Sequence, residues 1–130
     1  MRALTPADRR SLVEALGLLI VIRIALRVLP FTKVRGYLNR WAAKAQGPSP
    51  LALAIVWAVR AAASRLPPTT CLVEALAVHS MLRRYGYSPE LKIGVRRGTV
   101  MSLDAHAWVE CDGAIVIGTT PAIGDYAVLS

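Results

Sequence analysis

The sequence is poor in the residues that most cofactor sites require. It contains two cysteines and two histidines without the short spacing of a zinc site, and it has no glycine-rich phosphate loop. Aromatic residues make up 6% of the chain and are not interleaved with the basic residues, as they would be on a surface that stacks nucleic-acid bases. We therefore expect no metal, no cofactor and no nucleic-acid partner.

A cleavable signal peptide and a long apolar run are also missing. The apolar stretch near the start has no small-residue cleavage site and follows the acidic Asp8 and Glu14. Its centre, residues 15–22, is shorter than the ~20 residues that cross a bilayer. We interpret it as a core or partner-facing helix, with shallow docking on a membrane surface as the alternative. Such a chain, with reduced thiols, is expected in the cytoplasm, with membrane association left open.

What the chain does have is apolar bulk and positive charge. Hydrophobic residues are 55% of its 130 residues, and 16 Lys and Arg against 8 Asp and Glu give a net charge of +8. The length suits one domain with a modest core, and the apolar excess predicts some surface that contacts a partner or a bilayer. The charge favours anionic partners, among them an acidic peptide.

Helix start and stop signals predict four helices in the first two thirds of the chain. Pro6 suits the first helical position, Thr32 can cap a second helix, and the Gly-Pro-Ser-Pro break precedes a third. A fourth helix ends before Gly86, a residue type that favours helix C-termini. Trp57 of the third helix is predicted to pack in the core. The expected helices cover residues 6–28, 33–46, 50–66 and 71–85.

After Glu90 the pattern changes to the alternation of half-buried strands. Strands are expected from Glu90, over 104–111 and over 114–117, with Asp112-Gly113 as a two-residue hairpin turn and an edge strand near 126–129. The predicted fold class is α+β, with N-terminal helices followed by a fourth helix packed on a small antiparallel sheet. We divide the chain into an N-terminal helical segment, residues 1–47, and a core, residues 48–130.

Cys71 is a candidate nucleophile because of where its helix begins. Thr70 is placed to cap the fourth helix, so that Cys71 falls in its first turn. A thiol attacks a carbonyl carbon as the thiolate, and the unpaired backbone N–H groups and the dipole of a helix start favour that anion. The same N–H groups can stabilise the oxyanion of a tetrahedral intermediate.

An activated thiol also needs a base within hydrogen-bond reach, and the chain offers His79 and His106. His79 lies two turns further along the helix of Cys71, too far along the axis to touch it. His106 lies on a strand of the following sheet, which can pack against that helix. Spacing alone leaves two interpretations open, a catalytic pair or two structural residues.

Several segments share the order and local sequence of one family: Cys71 opening a helix, LRRYG at 82–86, LKIGVR at 91–96, HAWVE at 106–110 followed by DG at 112–113, and the weaker N-terminal RIALRVLPF at 23–31. They resemble the transglutaminase-like cysteine peptidases that mature lasso peptides, in their short standalone form. The resemblance implies a papain-like arrangement with Cys71 as nucleophile and His106 as base, and removal of a leader by peptide-bond hydrolysis.

The resemblance also implies partners. Standalone members lack a leader-binding domain, so a small leader-recognition protein is expected to deliver the precursor peptide, and a lasso cyclase is a further partner. The apolar N-terminal helices are one place where the delivery protein could dock. Because no such domain fits within 130 residues, we expect it on a separate chain.

The third catalytic residue is where the sequence departs from the family. The acid that orients the histidine usually lies about a dozen residues after it, and that position is Gly118 here. Asp104 is our preferred substitute, since residues two apart on a strand share a face. Asp125, the hydroxyl of Thr119 or a backbone carbonyl are alternatives. Trp108 and Cys111 are interpreted as packing residues of the same strand.

Three functions are compatible with these residues. The first is a cysteine endopeptidase that uses Cys71, His106 and Asp104. The second is acyl transfer to an amine, which transglutaminase-like folds permit. The third is a non-catalytic basic adaptor that holds a precursor peptide or a membrane surface.

Overall fold

A computed structural model describes residues 6–43, 52–67, 71–97, 103–111, 113–117 and 127–128. Four helices are followed by a small antiparallel sheet, which confirms the predicted α+β class. The boundary predicted between residues 47 and 48 lies outside the described ranges. In chain order the elements are α1 Pro6–Val28, α2 Phe31–Ala42, α3 Ala52–Ala63, α4 Cys71–Arg84, β1 Glu90–Arg97, β2 Leu103–Cys111, β3 Ala114–Ile117 and β4 Ala127–Val128.

Helix α1 has the predicted bounds and is apolar on two sides. Its inner face carries Ala15, Leu19 and Ile22, which are fully buried, and it packs on α3 and α4. Its outer face exposes Val21 and Ile24 among other large aliphatic side chains. The prediction of a core helix is confirmed for the inner face. Within the described ranges no helix is long and apolar enough to cross a membrane.

Helix α2 begins two residues earlier than expected, and the predicted Thr32 cap is wrong. Pro30 is the N-cap, with an extended backbone and a carbonyl that accepts hydrogen bonds from the N–H groups of Lys33 and Val34. Proline suits this place because the first N–H groups of a helix have no intrahelical acceptor, and proline has no backbone N–H that would be left without one. Val34 and Leu38 are buried, as the amphipathic pattern predicts.

Helix α3 ends earlier than predicted, and Trp57 is not a core residue. The buried face of this helix is formed by small and branched residues: Ile55, Val56, Ala58, Val59 and Ala62. Trp57 lies on the opposite face and is 40% exposed. A large aromatic side chain favours burial, but Trp57 lies one turn before Arg60 and therefore shares the solvent-facing side of the helix with this charged residue.

Helix α4 is the centre of the molecule. It packs on all three other helices and on β1, β2 and β3. Nine of the ten residues from Val73 to Leu82 are buried, and the tenth, Glu74, is half-buried. Gly86 follows it with a φ of +92°, and the N–H of Tyr87 bonds back to the carbonyl of Leu82. The predicted C-terminal glycine is thus confirmed, because this left-handed conformation strains residues with a side chain.

The strands form one sheet in the order β3-β2-β1-β4. All neighbours are antiparallel, and β1 pairs with β2 along its whole length, with Leu91 opposite Val109 and Gly94 opposite His106. The predicted edge strand is β4, which pairs with β1. Gly113, between β2 and β3, has a φ of +80°, as the predicted hairpin requires. The sheet lays one face on α4.

Candidate active site

Cys71 is the first residue of α4, as predicted. The side chain is half-buried against the hydrophobic core, and its thiol is free. It therefore lies among the backbone N–H groups of a helix start, where an anion is favoured. Thr70, the predicted cap, lies outside the described ranges.

A cavity of about 240 Å³ opens beside Cys71. It lies where four elements meet: α3, the first turn of α4, and strands β2 and β3. Its walls are mainly aliphatic, with two charged side chains among them. The lining residues are Arg60, Cys71, Glu74, Ala107, Ile115, Val116 and Ile117.

Arg60 and Glu74 give the cavity its polarity. Arg60 projects from an exposed position on α3, and Glu74 lies one turn after Cys71 on α4. A carboxylate in the first turn interacts favourably with the helix dipole. The cavity thus combines a thiol at a helix start, one cation, one anion and apolar walls.

The two faces of β2 differ in what they meet. Ala107 and Val109 belong to the hydrophobic core, and Ala107 also lines the cavity of Cys71. Because side chains alternate along a strand, His106 and Trp108 point to the other face. The structure therefore brings the strand of His106 next to the thiol, and the residue of that strand that borders the cavity is Ala107.

His106 lies beside Trp108 on this outer face. Their rings are stacked, with centroids 6.0 Å apart and planes inclined by 22°. Trp108 is buried, as expected for a packing residue, and its indole N–H donates to Oε2 of Glu110 at 2.9 Å. His106 itself is half-buried. Its role as a base stays a prediction.

The candidates for the third catalytic residue fall largely outside the described residues. The backbone of Asp104 pairs with Arg96 in the β1–β2 ladder, but its side chain is outside the description. So are Gly118, Thr119 and Asp125. The acid that would orient His106 therefore stays a prediction.

The second histidine and the second cysteine lie away from the cavity. His79 is buried in the middle of α4, and burial, together with Arg35 and Arg83, lowers its pKa to about 4 despite a hydrogen bond to the backbone of Pro89. Cys111 is buried at the end of β2, as expected. Neither residue lines the cavity.

Arg60 and Glu74 were not identified from the sequence. Glu74 could have been, because it lies three residues after Cys71 and therefore on a neighbouring part of the same helix surface. Arg60 gave no such signal, since its approach to Cys71 depends on how α3 packs on α4. Among the described residues, no group of three or more His, Cys, Asp or Glu could hold a metal ion.

The structure combines an α+β fold, a free thiol at the first residue of its central helix and an antiparallel sheet that follows this helix. The family model of the transglutaminase-like superfamily matches residues 16–130. The chain belongs to this superfamily. The match begins within α1 and so crosses the boundary predicted at residue 47. No curated protein and no solved structure matches the chain significantly.

Proposed function

We propose that this protein is a cysteine peptidase in which Cys71 is the nucleophile. The observation that carries the proposal is the free, half-buried thiol at the first residue of α4, which borders a cavity wide enough for a substrate side chain. Membership of the transglutaminase-like superfamily supports it, since that superfamily includes cysteine peptidases and acyl transferases.

In the proposed reaction, the base takes the proton of the Cys71 thiol, and the thiolate sulfur attacks the carbonyl carbon of the scissile peptide bond. The carbonyl π electrons move to oxygen, where backbone N–H groups at the start of α4 stabilise the negative charge. Collapse of the intermediate breaks the C–N bond, and the protonated base gives its proton to the leaving amine. The base then takes a proton from water, which adds to the thioester carbonyl; collapse of this second intermediate breaks the C–S bond, releases the carboxylic acid and returns the proton to the sulfur.

We propose His106 as the base, with Asp104 as the residue that orients it. This role sets a geometric requirement, because Ala107 and not His106 borders the cavity. The segment of β2 around residue 106 must turn the imidazole towards the sulfur when substrate binds. In free enzymes catalytic hydrogen bonds are often long or poorly aligned, and they tighten in the substrate complex.

The proposed substrate is a lasso peptide precursor, which a small leader-recognition protein delivers. After the leader is cut off, the remaining peptide passes to a lasso cyclase. The support is the resemblance of the segments at 71, 82–86, 91–96 and 106–113 to standalone leader peptidases. The net charge of +8 also suits an acidic peptide. The outer face of α1, with exposed Val21 and Ile24, is a candidate surface for the delivery protein.

The test is cleavage of a lasso precursor peptide in the presence of a small leader-recognition protein, followed by mass spectrometry. Wild type should release the leader at one bond. Cys71→Ala should fold normally and release none, whereas Cys111→Ala should cleave at the wild-type rate per folded molecule. A Cys71→Ala protein that still cleaves would overturn the proposal.

Adding a primary alkylamine such as cadaverine to the same reaction separates hydrolysis from acyl transfer. An amide of this amine would form on the released leader if the enzyme uses an amine in place of water to resolve the thioester. A free acid as the sole product supports the peptidase. The non-catalytic adaptor predicts instead that alkylation of Cys71 leaves activity in the maturation reaction unchanged.

A further inference from the structure

Helix α3 presents an exposed stripe that leads to the cavity of Cys71. Its members recur at intervals of three and four residues, so that they lie on one side of the helix. They are Leu53, Trp57 and Arg60 of α3 and Ser64 directly after its last residue, and Leu53 is 78% exposed and Trp57 40% exposed. We call these four residues the α3 stripe.

The α3 stripe has features that a merely solvated helix face lacks. Two large apolar side chains are exposed in succession, and the next member, Arg60, lines the cavity of the proposed nucleophile. The hydroxyl of Ser64 donates to the nearby backbone carbonyl of Ala61 at 2.7 Å. The stripe thus places two exposed apolar side chains on the same side of α3 as Arg60, the member that lines the cavity.

We propose that the α3 stripe binds the substrate, with Arg60 pairing with a substrate carboxylate near the bond that is cut and with Trp57 and Leu53 holding an apolar side chain further away. The inference rests on the proposed function for the identity of the cut bond. It adds a specificity-determining residue, Arg60, and a substrate class, peptides with an acidic residue close to an apolar one.

Distances along the helix set the spacing of these two substrate residues. Leu53 and Arg60 are seven residues apart, which is roughly 10 Å along the axis, and an extended peptide covers that distance in about three residues. The aliphatic walls of the cavity, Ile115 and Val116 among them, then accept the side chain next to the thiol. A guanidinium is suited to this role because it pairs with carboxylates through two parallel hydrogen bonds.

A structural role for Arg60 is the competing explanation. Glu74 lines the same cavity, so Arg60 could serve only to balance its charge. The two explanations differ in what charge reversal does. If Arg60 only balances the charge of Glu74, reversing its charge should weaken the binding of all peptides alike. If Arg60 recognises the substrate, reversing its charge should replace the preference for an acidic peptide by a preference for a basic one.

The test is binding of fluorescein-labelled octapeptides, measured by fluorescence anisotropy on the full chain. The peptides place leucine three residues from aspartate, asparagine or lysine, in either order. Wild type should bind the best aspartate peptide about tenfold more tightly than the asparagine peptide, and less so as salt is raised. Arg60→Glu should reverse the order and prefer the lysine peptide. Trp57→Ala should weaken all three peptides about equally.

Arg65→Gln is the matched control, because Arg65 is an exposed arginine just beyond the end of the same helix and does not line the cavity. It should keep the preference for aspartate. Equal affinity for the aspartate and asparagine peptides in wild type, or an Arg60→Glu protein without a lysine preference, would overturn the inference.

Repeating the measurement with Cys71→Ala separates this inference from the proposed function. Binding preferences that persist in Cys71→Ala, together with a folded wild-type protein that cleaves no precursor, would refute the peptidase and leave the recognition site. Precursor cleavage that is insensitive to Arg60→Glu, with no aspartate preference in binding, would refute the recognition site alone.

Discussion

The two ends of α4 are built for different purposes. At its C-terminal end, the guanidinium of Arg84 lies 4.3 Å from the ring centre of Trp41 and donates to the Trp41 carbonyl, and Arg83 donates to the side chain of Asn39 at 2.9 Å. Just beyond the helix, the hydroxyl of Tyr85 donates to Glu14 at 2.9 Å. These contacts tie α4 to α1 and α2.

The N-terminal end is open by comparison. Cys71 there borders a cavity, and its neighbours are aliphatic walls and two charged side chains. One end of the helix is thus held by polar contacts to α1 and α2, while the other carries a half-buried thiol beside a cavity. Substitutions at the open N-terminal end of α4 should therefore alter activity with little effect on stability. Substitutions at the anchored C-terminal end should lower stability with little effect on activity.

The largest effect is expected for His106→Ala. Loss of a general base typically slows turnover by about 10²- to 10⁴-fold, whereas loss of the ring stacked on Trp108 should lower the free energy of unfolding by only about 1 kcal/mol. The rate of precursor cleavage and urea unfolding on the same samples give both numbers. His79→Gln is the control, and it should keep the wild-type rate per folded molecule. An unchanged rate in His106→Ala would assign the base to another group.

The next largest effect is a loss of stability at low pH, which we expect from the protonation of His79. Its pKa is about 4 in the folded protein and about 6.5 when unfolded. Between these values the unfolded chain holds a proton that the folded chain does not, so stability falls as the pH drops from 6.5 to 4. The loss should reach roughly 3 kcal/mol.

Urea unfolding of wild type and His79→Gln at several pH values checks this. Carboxylates also titrate in this range, so the quantity to compare is the difference between the two proteins. That difference should shift in favour of His79→Gln as the pH falls. Parallel curves for the two proteins would mean that His79 is not protected from protonation.

Tyr85→Phe tests the anchor to α1. The variant removes the donor to Oε2 of Glu14, whose Oε1 is already buried without a hydrogen-bond partner among the described residues. Burial, followed by this contact with Glu14, raises the pKa of Tyr85, so the hydroxyl donates at neutral pH. We expect a loss of about 2 kcal/mol, because hydrogen bonds to charged groups contribute about that much.

The matched control is Tyr37→Phe on α2, where the side chain is 56% exposed. It should change the free energy of unfolding by less than about 0.5 kcal/mol. Precursor cleavage should be unaffected in both variants. Lost cleavage in a fully folded Tyr85→Phe protein would show that the two ends of α4 are coupled.

The smallest effect is expected for Gly86→Ala. A φ of +92° strains a residue with a side chain, and we expect a cost of about 1 kcal/mol in thermal or urea unfolding. Gly36→Ala in α2 is the contrasting variant, because a side chain there meets open space in a helix interior. It should stabilise the protein slightly. Equal effects of the two variants would contradict the role of Gly86.

The elements that the sequence predicted best are those with local signals. Pro6 and Gly86 mark helix ends by their own backbone preferences, and the alternation after Glu90 marks β1, so these bounds needed no tertiary information. Trp57 was predicted wrongly because α3 is apolar on nearly every side, so that the burial of its faces is decided by packing. The polar Arg60 and Ser64 on the same stripe were the one local hint.

The candidate site was predictable only in part, for the same reason. The position of Cys71 follows from the local start of α4. The cavity beside it is formed by four elements whose meeting depends on long-range packing, so Arg60 and Ile115 could not be assigned to it from their neighbours in sequence. The choice of face on β2, which places Ala107 towards the cavity, depends likewise on how the sheet lies on α4.

The central claim is that the open end of α4 holds a reactive thiol, and the two cysteines of the chain allow a direct test. The folded protein is treated with iodoacetamide at neutral pH, the alkylation of each cysteine is followed by peptide mass mapping, and precursor cleavage is measured in parallel. The account predicts that Cys71 is alkylated while the buried Cys111 is protected, and that activity falls in proportion to modified Cys71. Full cleavage activity with Cys71 completely alkylated would contradict it.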